Sequence, residues 1–310
     1  MSVFTVVQPG LFTTIQDLGR PHAIASGVPS GGAMDRFAHR AGNLLVGNAP
    51  GDATLECTLK GPHFAVERDC LVAITGADLD PQLNGAPAPM WTSFLVAAGD
   101  RITFGGRRAG ARAYVAVAGG VQGERWLGSV STYVLVGRGG MAGRALAAGD
   151  SLSVAREAGG LSRPGRELDR RLRPDYSDHT LHAIAGPHLK RLDAGGRQAL
   201  FGASFSVSHQ SDRMGYRLDG ATLEMSGEEL LSFGLAVGAI QVPGGGRPIL
   251  LMADHHTAGG YPVPAVVATA SLPVAAQLAP GDELRFAEVS VETAVEMRSA
   301  ALKALETLNA

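Results

Sequence analysis

Ala98-Gly99-Asp100-Arg101-Ile102-Thr103-Phe104 decides the fold, because its pattern returns as Ala148-Gly149-Asp150-Ser151-Leu152-Ser153-Val154 and again as Pro280-Gly281-Asp282-Glu283-Leu284-Arg285-Phe286. In each copy a Gly-Asp turn signal is followed by apolar residues at every second position, the mark of a half-buried strand leaving a tight turn. Short β-branched runs bounded by Gly, Pro and Asp surround these copies, and residues 4–7, 70–75, 112–118, 132–136, 249–252 and 265–269 each predict a strand. Helical stretches are too few to alternate with them, so the punctuation is that of a mainly β barrel or sandwich rather than of βαβ units.

At 310 residues and 45% apolar content, the chain can build two lobes, each with its own core. Gly61-Pro62-His63 and Gly186-Pro187-His188 echo one another, which points weakly to two related lobes. Residues 156–178 are rich in Arg, carry Pro164 and Pro174, and hold few apolar side chains, so they read as a polar linker. The expected order is a lobe over 1–155, the linker over 156–178, a second lobe over 179–290 and a C-terminal helix over 291–310. A further helix is expected over 34–46, with Met34, Phe37, Ala38, Ala41, Leu44 and Leu45 on one face and Gly47-Asn48 as the stop. The C-terminal helix sets Val291, Val295, Leu302 and Leu305 on one face, as a lid on a barrel or on a partner would.

A net charge of −2 argues against a nucleic-acid or anionic-membrane surface, either of which wants a clustered excess of Lys and Arg. Lysine is confined to Lys60, Lys190 and Lys303, so an anion clamp would fall to Arg or backbone. Cys57 and Cys70 form no Cys-x-x-Cys and read as buried thiols without a disulfide. The opening residues lack the basic region and apolar core of a signal peptide, and no apolar run approaches the roughly 18 residues needed to span a bilayer. A cytoplasmic location is expected.

Four segments carry side chains suited to chemistry. Asp17 and Arg20, in a Gly-bounded turn, could bind a polar ligand or pair with each other to fix the turn. Gly31-Gly32-Ala33-Met34-Asp35-Arg36 opens a helix whose free N–H groups suit an anion, although Asp35 would itself satisfy the helix dipole. In Ser211-Asp212-Arg213-Met214-Gly215-Tyr216-Arg217, Asp212 and Arg213 could clamp a carboxylate or pair structurally. In the fourth, the run at 249–253 delivers Asp254-His255-His256-Thr257-Ala258-Gly259-Gly260-Tyr261, beside a segment that holds Gln241. If the strand continues, Asp254 and His256 share a face and can act as an acid/base pair, or close the barrel as a buried hydrogen-bonded pair. Gly259-Gly260 lets backbone amides approach a ligand. No P-loop, dinucleotide fingerprint, His-Glu-x-x-His, Cys-x-x-Cys or Gly-x-Ser-x-Gly occurs, and two adjacent histidines diverge on a strand, so no metal site is expected.

These segments, together with residues 10–20, 43–48, 74–78, 114–120, 127–133 and 238–243, resemble in order the urea amidolyase-related carboxyltransferase subfamily 2, the family of the 5-oxoprolinase C subunits and of proteins formerly called allophanate hydrolase subunit 2. The resemblance implies two cyclophilin-like β-barrel lobes with a few short helices. It further implies a complex with the B and A subunits of a 5-oxoprolinase, which opens the lactam of 5-oxoproline to glutamate at the expense of ATP. Homologous domains move a carboxyl group from carboxybiotin to urea. Here biotin would have to ride on a separate carrier, since the chain has no Ala-Met-Lys-Met acceptor. Some relatives instead bind a kinase inhibitor that is similar to the B subunit, a regulatory role.

Position by position, Asp254, Thr257, Gly259, Gly260 and Tyr261 match the family's loop, and Asp212, Arg213 and Tyr216 match its strand. Asp254, His256, Asp212 and Arg213 are the catalytic candidates. Thr257, Gly259, Gly260, Tyr261, Tyr216, Gln241, Met34, Asp35 and Arg36 are the candidates for binding a small amide or lactam. Three places depart from the family pattern: His255-His256 where Arg-Gln is common, Val263 where Lys is common, and Ser232-Phe233-Gly234 where an acid-Gly step is common.

Overall fold

A computed structural model of the chain describes residues 2–156 and 164–309. The recurring turn is built the same way three times. Asp100, Asp150 and Asp282 each accept, on a side-chain oxygen, the N–H of the alanine three residues earlier, at 2.8, 2.7 and 2.9 Å. The glycine before each aspartate sits at φ +93°, +88° and +88°, a backbone state that side chains resist. Glycine and aspartate then latch onto a neighbouring strand from both sides of one valine: Gly99 N–H to the Val66 carbonyl and Val66 N–H to that of Asp100, at 2.8 and 2.9 Å. Gly149 and Asp150 repeat this on Val6, and Gly281 and Asp282 on Val207. The strands Arg101–Phe104, Ser151–Ser153 and Glu283–Glu288 follow, as the sequence predicts. A related turn, Ala49-Pro50-Gly51-Asp52, shares the aspartate cap on the alanine N–H but not the positive-φ glycine, and precedes Thr54–Thr58, which escapes the alternating pattern because it is buried on both faces through Cys57.

The chain divides into two compact units, one of Met1–Arg20, Gly31–Arg173 and Lys303–Ala310, the other of Pro21–Ser30 and Pro174–Leu302. In the first unit a six-stranded sheet runs in the order Ser151–Ser153, Ser2–Gln8, His63–Val66, Arg101–Phe104, Pro81–Leu83, Ala86–Pro87. A five-stranded sheet runs Phe12–Gln16, Thr54–Thr58, Ala109–Val117, Cys70–Asp78, Ser93–Val96. Both contribute to one core, in which Phe4, Phe64, Leu55, Ile74 and Val115 are fully enclosed. In the second unit seven strands close a barrel in the order Thr180–Ala185, Ala265–Val267, Ala239–Gln241, Ile249–Leu251, Gly215–Gly220, Ser204–Val207, Glu283–Glu288.

The expected strand at 132–136 does not form: Val134–Val136 is a short, exposed 3-10 turn, and among the described residues these three pair with no strand. Of the expected linker, residues 157–163 lie outside the described residues. The rest is not uniformly solvated: Leu168 is fully buried and the Ser93 N–H donates to the Arg166 carbonyl at 2.8 Å. Helix α1 spans Arg36–Leu45 and begins after Met34, since Asp35 is its N-cap. Helix α2, Ala194–Gly202, is capped by Asp193 and escapes sequence reading because Gly195 and Gly196 dilute its pattern. Helix α3 is Leu272–Ala276, and α4, Val291–Glu306, buries Leu305 but leaves Val291 and Val295 exposed.

Polar groups pin α1 within its unit. His39, fully buried, places Nδ1 2.9 Å from Thr54 Oγ1 and Nε2 3.4 Å from the Asn43 amide, and burial pulls its pKa down to about 4. Cys57 and Cys70 are free and buried, and burial pushes both thiols up.

Gly281→Ala is expected to cost about 1–3 kcal/mol in denaturant unfolding through backbone strain alone, because the space beside it is open. Gly244→Ala, in open space without a positive φ, should be nearly neutral. Because the folded-state pKa of His39 is depressed, its contribution is complete above about pH 6.5 and is lost as pH falls toward 4. Melting temperatures measured across that window should fall more steeply for the natural chain than for His39→Gln.

Candidate functional site

The strand Ile249–Leu251 stops where the chain turns, and that turn fixes the catalytic candidates. Met252 N–H donates to the Met214 carbonyl at 3.0 Å, and Asp254 N–H to that of Arg213 at 2.9 Å, so this turn is laced to residues 212–215. Asp212 accepts the Met214 N–H at 2.8 Å and the Gly215 N–H at 3.3 Å, which makes it the residue that shapes its own turn. Arg213 and Asp254 form a two-pronged ion pair, Nε to Oδ2 at 2.8 Å and Nη2 to Oδ1 at 3.2 Å, with side chains only 11% and 10% exposed. Such a planar fork holds a carboxylate in one orientation, and each oxygen keeps a second lone pair for a ligand N–H.

The pairing of Asp254 with His256 expected from alternation does not form. Ala253 and Asp254 lie in a turn, and Asp254 faces Arg213 instead. His255 is buried, its Nδ1 donates to the His256 carbonyl at 2.7 Å, and desolvation lowers its pKa, so it is a neutral structural imidazole at neutral pH. His256 is exposed.

Gln241 ends the barrel strand Ala239–Gln241 and is fully buried, yet neither its side-chain oxygen nor its nitrogen has a hydrogen-bond partner among the described residues. Its surroundings explain why. It pairs in register with Ile249, on the face where Ala239, Leu251, Val263 and Leu235 form an apolar cluster. Gly259 lies against it, so close that a Cβ there would stand 3.2 Å from Gln241 Nε2 and 3.1 Å from His256 Nε2. Gly259 belongs to a two-stranded ribbon, Phe233–Gly234 with Ala258–Gly259. His188 tilts against Phe233 and accepts the Val263 N–H on Nδ1 at 3.1 Å.

Gly260 and the half-exposed Tyr261 line an open cavity of about 770 Å³, closed on its other sides by the Pro243-to-Gly246 turn, Leu223, Leu230 and Arg191. Thr257 gives its carbonyl to the Leu235 N–H at 2.9 Å, whereas Tyr216 is buried on a barrel strand opposite Leu250.

Met34, Asp35 and Arg36 belong to the other unit. Asp35 Oδ1 caps α1 at Ala38 N–H, 2.9 Å, and its own N–H donates to the Tyr114 hydroxyl at 2.8 Å. That hydroxyl donates to Glu56 at 2.7 Å, and the Met34 N–H reaches the same Glu56 oxygen at 2.9 Å. Burial lowers the pKa of the half-buried Arg36. Glu56 escapes sequence reading because a lone acid in an apolar strand carries no motif. Asp17 and Arg20 do not pair with each other: Asp17 accepts from Ser129 and Ser131 hydroxyls at 2.6 Å each, while Arg20 donates to the Ser131 carbonyl and covers the Trp126 ring at 5.0 Å. Among the described residues no cluster of three or more His, Cys, Asp or Glu could hold a metal ion, and no helix is long and apolar enough to cross a membrane.

Residues 26–288 match the family model of the carboxyltransferase domain, subdomain A and B. The chain is 36% identical over 296 residues to the 5-oxoprolinase C subunit of Escherichia coli strain K12, covering 94% of this chain and 93% of that protein. It is 34% identical over 286 residues to the same-named protein of Haemophilus influenzae, covering 92% and 91%. The crystal structure of the K. lactis urea amidolyase superimposes with a TM-score of 0.91 at 29% identity over 99% of this chain, which corresponds to 20% of that one.

Arg213→Met should leave the Asp254 carboxylate buried without its partner and cost about 3–5 kcal/mol in denaturant unfolding, while Arg213→Met combined with Asp254→Leu should recover most of that loss.

Proposed function

The chain belongs to the carboxyltransferase domain family, subdomain A and B, and on that premise we propose that it acts as the C subunit of an ATP-dependent 5-oxoprolinase complex, opening the lactam of 5-oxoproline to glutamate together with the A and B subunits. One observation carries the reading: similarity to a 5-oxoprolinase C subunit runs nearly end to end in both proteins. Opening a lactam breaks its C–N bond and adds water, so amide resonance must be broken in a substrate held still. Asp254, oriented by Arg213, is the group assigned to meet the amide N–H or a proton in transit. Thr257, Gly259, Gly260, Tyr261 and Gln241 are assigned to binding, within a site shared with the B subunit. ATP enters at the level of the complex and supplies the driving force.

The fit to the K. lactis urea amidolyase favours a second reading, carboxyl transfer from biotin on a separate carrier to urea or a related amide. Co-expression with the neighbouring subunits, followed by an assay of 5-oxoproline-dependent ATP hydrolysis, decides between them. Turnover is expected, and Asp254→Asn should lower it by about 100-fold or more while the complex still elutes intact. Avidin-sensitive carboxylation of an amide, with no response to 5-oxoproline, would establish the second reading instead.

A further inference from the structure

A primary carboxamide buried in an apolar cluster without a partner is an expensive arrangement, because both its donor and its acceptor have given up water for nothing. Gln241 is fully buried, and neither end of its carboxamide meets a hydrogen-bonding group among the described residues. Leucine or methionine would fill the same space beside Leu235, Ala239 and Leu251 at lower cost. Structure alone gives no reason for an amide here. The covering element is slight: the ribbon Phe233–Gly234 with Ala258–Gly259 consists of two residue pairs, and Gly234, His256 and Ala258 are exposed. Two-stranded pieces of this size are marginal by themselves. Gly259 lies against the carboxamide with no side chain to intervene, and any larger residue would meet Gln241, Leu235 and His256 at once.

A primary amide presents a C=O and a syn N–H side by side in one plane. The matching ligand presents an N–H and a C=O in the same arrangement, as a cis amide does; a lactam and urea qualify, whereas an open-chain trans amide or a lactone does not. No protein group fixes which end of Gln241 is oxygen, so a ligand can set it.

We propose that Gln241 is the specificity-determining residue of the barrel unit, taking a planar cis amide through a paired donor–acceptor hydrogen bond when the Phe233–Gly234/Ala258–Gly259 ribbon lifts from it. This deepens the reading above, on which a lactam is the substrate, and makes the class of ligand a property of one side chain.

The test uses the full chain assembled with its co-expressed partners. Calorimetric titration compares 5-oxoproline, its ring-oxygen lactone analogue and urea, on the natural chain and on Gln241→Met, with melting temperature and KM recorded alongside. The natural complex should prefer the lactam over the lactone by at least about 10-fold, and Gln241→Met should weaken lactam binding and raise KM by a similar factor while melting no lower. Equal affinity for lactam and lactone in the natural complex would overturn the proposal even if the variant failed to fold. Unchanged lactam affinity in Gln241→Met would also overturn it, leaving Gln241 satisfied by a trapped water, and 5-oxoproline turnover would still stand. Binding of urea but not 5-oxoproline, lost in Gln241→Met, would keep this inference and remove the 5-oxoprolinase reading. Failure of every amide to bind would remove both.

Discussion

A glycine held at positive φ, with an aspartate behind it folding its carboxylate back onto the turn, is the constraint that sets a strand pairing in each of the two units. In three places the pair grips one valine of a neighbouring strand from both sides, through the glycine N–H and the aspartate carbonyl. The grip fixes register as well as direction, and in a sheet a slip of one residue would exchange the buried and exposed faces of the whole strand. Two of these latches, on Val6 and Val66, lie in the first unit, and the third, on Val207, lies in the barrel. The same hydrogen-bond geometry thus recurs in both units.

Inside those frames the polar groups separate into satisfied and unsatisfied. Asp17, Asp35, Glu56 and Tyr114 are enclosed, and every one of them is engaged by hydrogen bonds that cap a helix or tie a loop. Arg213 and Asp254 are nearly enclosed and neutralise each other, which costs desolvation but orients the carboxylate. Gln241 stands apart because both its amide oxygen and its amide nitrogen lack a partner among the described residues. Groups of the first kind account for stability and geometry, whereas a group of the last kind contributes to neither through hydrogen bonds within the described chain.

Departures from the family pattern acquire physical meaning in the same frame. His255, where an arginine is common, is buried with its Nδ1 committed to a backbone carbonyl, so no cation stands there at neutral pH. Val263, where a lysine is common, is packed with Leu235, Ala239 and Leu251, and an ammonium at that place would have to be drawn out of an apolar cluster. This side of the barrel therefore offers fewer cationic side chains than the family pattern implies.

The sequence by itself determined the mainly β class, the three turn-launched strands, helix α1 with its apolar face, and the family, because Gly-Asp turns and period-two alternation are local consequences of backbone sterics and burial. It also placed Asp254 and Gly259-Gly260 in a loop following a buried strand. Only the tertiary structure decided which partner Asp254 takes, since the chain turns at Ala253 and Asp254 and brings up Arg213, forty-one positions away in sequence, in place of His256. The same holds for Val134-Leu135-Val136, whose apolar pattern pairs with no strand among the described residues, and for Glu56 and Gln241, single polar residues in apolar strands. A lone side chain has no periodicity to read: whether it is satisfied depends on groups that arrive from elsewhere in the chain, and that is settled by packing.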